Sequence, residues 1–192
     1  GEQAQTTSLL NQMMRHYNLP NSSIAGASDS NIPDYQAGYE KALTLATSAQ
    51  SGSNLITQAS GMLSGLMGVS LESFILDNEL CGSVLSSMRS VDIPALANDL
   101  ESINQVIVQD KHFLGEPDTL KRMNTDFNYP KSVKRISPEL WMQEKGNTML
   151  NEASKTLNEL LSSKFESHLS LETLKKLETE FDINLDVIYG QR

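Results

Sequence analysis

The sequence predicts a helix-rich α/β protein whose few strands belong to a parallel sheet larger than this stretch of chain can build. Three observations carry that expectation. Residues 1–68 alternate helix, strand, helix, strand, which is the order of βα units in a parallel sheet. Residues 69–192 read as successive helices, each opened by a serine or a proline. The two strand candidates are apolar and ask for neighbours on both sides, because parallel sheets are covered and many-stranded.

Leu10, Met13, Met14 and Tyr17 recur at three- and four-residue steps, so residues 3–18 form an amphipathic helix that Pro20 ends. SSIAG follows as a strand. Pro33 suits the first turn of the next helix, Asp34 beside it favours that helix's positive end, and the helix runs to about Gln50. Leu55, Ile56 and Thr57 stand between two glycines, a run too short for a helix and bounded like a buried strand. From Gly68 onward, Ser70 caps a helix carrying Leu71, Phe74, Ile75, Val84, Leu85 and Met88. Pro94 opens one with Leu96, Leu100, Ile103 and Ile107, and Pro117 one with Leu120, Met123 and Phe127. Pro138 opens a helix expected to continue to about Ser162, and Ser170 caps a last one with Leu171, Leu174, Leu177 and Phe181.

A length of 192 residues suits one ordinary domain, and 39% hydrophobic against 20% charged residues is a folding composition. The formal net charge of −9 disfavours a nucleic-acid partner, which needs clustered Lys and Arg. The one basic cluster, Lys131, Lys134 and Arg135, reads as a solvated turn. A single cysteine, Cys81, allows no internal disulfide and no cysteine-based zinc site, and three scattered histidines offer a metal little. No apolar run approaches the roughly 20 residues of a membrane span, and the first residues do not read as a signal peptide, so a cytoplasmic protein is expected.

In a parallel sheet, ligands gather in the loops that leave the strand C-terminal ends. Two such loops are present, Ala27 to Asn31 and Gln58 to Gly61, and both are polar. In the first, Asp29, Ser30 or Asn31 either caps the next helix, worth about 0.5–2 kcal/mol, or meets a ligand. Gln58 is either an amide satisfied by nearby backbone or a ligand contact. Tyr39 and Glu40, one turn into the helix, read first as packing and surface residues. His112, in DKHFLGEP between a helix end and a proline-led turn, is a candidate to face a pocket. Cys81, among Leu80, Val84 and Leu85 with no basic neighbour to form a thiolate, reads as core.

Four stretches in this order, GASDSNIPDYQAGYEKALT, GSNLITQASGMLSGLMGVSLESFILDNEL, HFLGEPDTLKRM and YPKSVKRISPELWMQEKG, resemble the trimethylamine methyltransferase family over nearly the whole chain. The resemblance implies the C-terminal portion of a TIM (β/α)8 barrel, with an N-terminal portion of longer members supplying the other strands. It implies transfer of a methyl group from a small methylated amine to the cobalt of a separate corrinoid protein. No cofactor would then be bound directly, the corrinoid (cobalamin) coming with the partner, and a homo-oligomer is expected. Members specific for trimethylamine carry pyrrolysine in the loop matching Asp29 to Asp34, at or near Asn31; asparagine there resembles the members without it, among them glycine betaine methyltransferases.

A quaternary ammonium is an activated methyl donor and has no lone pair to form an adduct with pyrrolysine, so Asn31 points to such substrates. The expected binding residues are then Asp29 and Tyr39 on the cation, and Asn31, Gln58 and His112 on a substrate carboxylate; no catalytic side chain is singled out, because reduced cobalt would be the nucleophile. The family often has glycines where Gln109, Asp110 and Lys111 stand, and histidine at Asp118. A second expectation, an inactive fragment that self-associates through uncovered barrel edges, rests on the missing strands.

Overall fold

The computed structural model describes residues 1–90, 99–109, 112–163, 168–181 and 183. In chain order the helices are α1 (Glu2–His16), α2 (Tyr35–Gln50), α3 (Leu71–Ser87), α4 (Asp99–Val108), α5 (Pro117–Thr125), α6 (Pro138–Gln143), α7 (Met149–Ser162) and α8 (Leu171–Phe181). The strands are β1 (Ser22–Ile24), β2 (Leu55–Thr57), β3 (Met62–Leu63) and β4 (Gly68–Val69). The chain divides into two compact units, Gly1–Lys155 and Thr156–Arg192. The second contains α8, which Ser70's counterpart Ser170 caps by accepting from Thr173 N–H at 3.2 Å, with Leu174 buried.

In the first unit β1 and β2 are parallel neighbours, with Ser22, Ser23 and Ile24 opposite Leu55, Ile56 and Thr57. That register sets Ser23 and Ile56 on one face, where both are half-buried, and Ile24 and Leu55 are 50% and 58% exposed on the other. Ile24 and Ile56 thus lie on adjacent strands and opposite faces. Helix α1 packs on α2, and α2 on α3.

Polar residues hold much of this packing. Asn11, 2% exposed, donates from Nδ2 to Ser51 Oγ at 2.7 Å and Ser53 Oγ at 2.8 Å, tying α1 to the turn that follows α2. Lys41 on α2 and Asp77 on α3 are buried together, with Nζ 2.5 Å from Oδ2.

The structure corrects several expectations in detail. Asp34, not Pro33, starts α2: its carboxylate accepts from Ala37 N–H at 2.9 Å, which places the proline before the cap. A short antiparallel hairpin, β3 and β4, occupies residues 62–69 where none was expected. The helix expected from Pro138 to Ser162 is two helices. Lys145 and Gly146 turn left-handed at φ 59° and 67°, the Trp141 indole N–H donates to Asn147 C=O at 2.9 Å, and Thr148 Oγ1 caps the second helix. Lys134 is no solvated turn residue, since its ammonium bridges Glu144 and Glu152, both at 2.9 Å, across that break. The stretch around Pro94 and Leu96 lies outside the described residues.

Candidate functional site

The C-terminal end of β1 meets α2 at a cavity of about 450 Å³, lined by Ala27, Ser28 and Asp29 of the first loop, Tyr39, Glu40, Leu43 and Thr44 of α2, Ile24, Gly65, Leu66 and residues 1–3; nothing from β2 or the second loop lines it. Its charged side chains are Glu2, Asp29 and Glu40, all carboxylates.

Helix α2 shapes the first loop through polar side chains spaced four apart. Glu40 Oε2 accepts from Ser28 Oγ at 2.6 Å and Asp29 N–H at 2.9 Å, and Oε1 accepts from the Gln36 amide at 2.9 Å. The Ser28 hydroxyl, then the Gln36 amide, hold the Glu40 carboxyl below the usual carboxylate range, so it stays ionised. One turn on, Thr44 Oγ1 accepts from Gly26 N–H at 3.1 Å. Gly26 sits at φ +87°, and a Cβ there would lie 2.7 Å from the Ala59 carbonyl oxygen. The two loops therefore cross backbone against backbone.

The second loop is held from α3. Asp77 Oδ2, already on Lys41, also accepts from Gly61 N–H at 2.7 Å. Burial pushes the Asp77 carboxyl up, against the opposing pull of the Lys41 ammonium and the Gly61 N–H. The hairpin then folds back over the first loop: Ser64 N–H donates to Ser30 C=O at 2.9 Å, Gly65 N–H to Ser28 C=O at 3.0 Å, and Ser64 Oγ to Asn31 Oδ1 at 2.8 Å. Its tip is strained, since Ser64, Gly65 and Leu66 are all left-handed at φ 52°, 58° and 72°, and two of them are not glycine.

Among the sequence candidates, Asp29 and Tyr39 line the cavity. Asn31 is not a lining residue; its Oδ1 accepts from Ser64 Oγ, next to the lining Gly65, and its NH2 group makes no hydrogen bond among the described residues. Gln58 is exposed, in a left-handed turn at φ 61°, and is not a lining residue. His112 is exposed and caps a short 3-10 turn, its Nδ1 accepting from Leu114 N–H at 3.1 Å. Asp118 accepts from Arg122 Nε at 2.7 Å within α5. Cys81 is half-buried rather than core; burial, then the Asp77 charge, pushes its thiol up, away from thiolate formation.

Sequence reasoning set Glu40 aside as a surface residue. Gln36, Glu40 and Thr44 recur every fourth position, and that polar stripe on the loop-facing side of α2 was the available signal.

The sequence model described as trimethylamine methyltransferase (MTTB) matches residues 1–183. The chain belongs to the trimethylamine methyltransferase family. Among its relatives, the glycine betaine methyltransferase of Desulfitobacterium hafniense (strain Y51) is 28% identical over 183 residues, which are 94% of this chain and 36% of that protein. The trimethylamine methyltransferase MttB of Methanosarcina thermophila is 32% identical over 130 residues, 68% of this chain and 26% of that protein. Another MttB, from Methanosarcina barkeri (strain Fusaro / DSM 804), is 26% identical over 174 residues, 89% of this chain and 34% of that protein. The chain therefore spans about a third or less of the length of these relatives. The architecture described above is a helix-rich α/β fold with few strands, and no described helix is long and apolar enough to cross a membrane.

Proposed function

We propose that this chain forms part of the substrate pocket of a methyltransferase that passes a methyl group from a quaternary amine to the cobalt of a partner corrinoid protein. In this reading β1 and β2 are neighbouring staves of a TIM barrel, and the cavity at the C-terminal end of β1 receives the substrate. The observation that carries it is that the charged side chains of that cavity are carboxylates, with Asp29 and Glu40 lining it together with Tyr39.

A quaternary ammonium has no N–H and recognises a site through charge and aromatic faces, the latter worth about 0.5–2 kcal/mol. Both Glu40 oxygens are already engaged by Ser28, Asp29 N–H and Gln36. They therefore offer a cation a negative charge fixed in place, which suits a substrate that donates no hydrogen bond. For a betaine, the NH2 group of Asn31, which makes no hydrogen bond among the described residues and belongs to the loop that lines the cavity, is the donor to its carboxylate. The partner's cobalt supplies the nucleophile, so the residues here bind, orient and shield the methyl donor.

Titration of the chain with glycine betaine, tetramethylammonium and trimethylamine, followed by backbone NMR, tests the reading. Shifts centred on residues 28–31 and 39–44 are expected, weakened about fivefold or more in Glu40→Gln, since one charge at contact distance is worth about 1 kcal/mol even in water. Silence across the three compounds would reject it.

A second reading is self-association of the chain, favoured by the exposure of Ile24 and Leu55 on the same face of the two-stranded sheet. Light scattering over a range of concentrations checks it, and a monomer throughout would dismiss it.

A further inference from the structure

A second cavity, of about 290 Å³, lies between α2, α3 and the first turn of α7, and it shares no lining residue with the first. Most of its wall is apolar, from Ala37, Leu76, Leu80 and Leu150, but three buried polar side chains enter it: Lys41, Ser73 and Asp77. Lys41 is 2% exposed, Ser73 2% and Asp77 5%.

Each of the three has unused hydrogen-bonding capacity. Lys41 Nζ bonds Asp77 Oδ2 and, among the described residues, nothing else, so two of its three ammonium N–H groups are free. Asp77 Oδ2 takes Lys41 and Gly61 N–H, while Oδ1 takes no donor among the described residues. The Ser73 hydroxyl has no partner among them either. These open positions belong to side chains that line the cavity, where an occupant can meet them. Water alone would meet the polar end and leave the apolar wall without contacts.

We infer that this cavity is a second binding site, for a small uncharged molecule with an apolar body and a hydroxyl or carbonyl head seated among Lys41, Ser73 and Asp77. The charge of the wall selects the neutral class. Lys41 and Asp77 cancel in the buried part, and the remaining lining carboxylate, Asp34, is exposed and taken up by Ala37 N–H and Ser30 Oγ, so an ionised head would bring a further unpaired charge into a buried place. A hydroxyl can accept from the Lys41 ammonium and donate to Asp77 Oδ1 at once. The volume is at the lower end of ligand pockets, which begin at about 300 Å³, so the body is short. Because Asp77 also holds Gly61, an occupant touches the pair that fixes the loop after β2.

The test is an NMR titration of the full chain with 1-hexanol, with hexanoate and hexylammonium as charged comparators. Saturable shifts are expected in amides of residues 37–41, 73–80 and 149–150. Binding should weaken about threefold to tenfold in Ser73→Ala, the worth of one hydrogen bond, and disappear in Ala37→Leu, which fills the space. The charged comparators should bind more weakly than the alcohol. Linear, non-saturating shifts with 1-hexanol, or saturable shifts unchanged in Ser73→Ala, would overturn the site. Equal binding of hexanoate or hexylammonium would overturn the neutral class. Glycine betaine is not involved, so these outcomes are independent of those at the first cavity.

Discussion

Replacing Lys41 by methionine isolates what the buried ion pair does. The change keeps the length and apolar body of the side chain and removes the charge, which leaves Asp77, 5% exposed, with Gly61 N–H as its one donor. Removing one member of a buried pair costs about 3–5 kcal/mol, because the other charge stays in place uncompensated. Against a typical total of about 5–15 kcal/mol, that is a large share. The double variant Lys41→Met with Asp77→Leu removes both charges and strands the Gly61 N–H, which costs about 1–3 kcal/mol. The double variant should therefore be more stable than Lys41→Met alone. Urea unfolding of the chain at neutral pH reads both values. The pH dependence adds a second check. Asp77 has its carboxyl raised above the ordinary 3.8, so the folded chain holds that proton more tightly than the unfolded one. Its contribution falls as pH climbs from the ordinary carboxylate range through the raised value. In Lys41→Met the penalty is that of an ionised Asp77, so the gap to the unaltered chain should narrow on acidification. Additive costs in the double variant, or a gap that widens as pH falls, would refute the reasoning.

Two further outcomes follow from the loops. In Gly26→Ala the new Cβ would meet Ala59 backbone at 2.7 Å and the residue would sit at φ +87°. The left-handed backbone alone costs about 1–2 kcal/mol, so a lowered urea midpoint is expected, and an unchanged one would show that the two loops part freely. Glu40 has its carboxyl lowered by the Ser28 hydroxyl first, so its stabilisation is complete above the unfolded value of about 4.3 and is lost as pH falls through the folded one. Glu40→Gln should lack that part of the acid limb in unfolding curves taken between neutral pH and pH 3, and identical limbs would show that the carboxylate does not hold the loop.

The strands and the main helices were legible because each has a local cause. Ser70, Pro117, Pro138 and Ser170 mark helix starts, and the apolar run of Leu55 to Thr57 between glycines marks a strand. What escaped has non-local or weak local causes. The hairpin of residues 62–69 has strands of two residues each, below any period that a pattern can show. It is held by bonds to Ser28, Ser30 and Asn31 more than thirty residues earlier. The break after Gln143 was signalled by Gly146 and masked by the apolar positions on either side. Of the candidate site, Asp29 was singled out from the polar loop beyond β1 and Tyr39 as an aromatic face for a cation, and both line the cavity. Glu40 was missed because a glutamate on a helix is ordinarily a solvated residue, and only the loop it grips distinguishes it.

That grip shows how one helix organises both sides of the molecule's chemistry. Consecutive helical residues point about 100° apart, so Glu40 and Lys41 leave α2 in different directions. Glu40, with Thr44 one turn on, holds the first loop, while Lys41 reaches Asp77 and, through it, the second. A rotation of α2 would disturb both loops together. The cavity at the end of β1 therefore depends on packing behind it, between α2 and α3, as much as on the residues that line it. On the proposed reading, a substitution in the second cavity that turns α2 should change amine binding at the first without altering any group proposed to touch the amine. A substitution confined to the exposed face of β1 and β2 should leave α2 and both loops where they are.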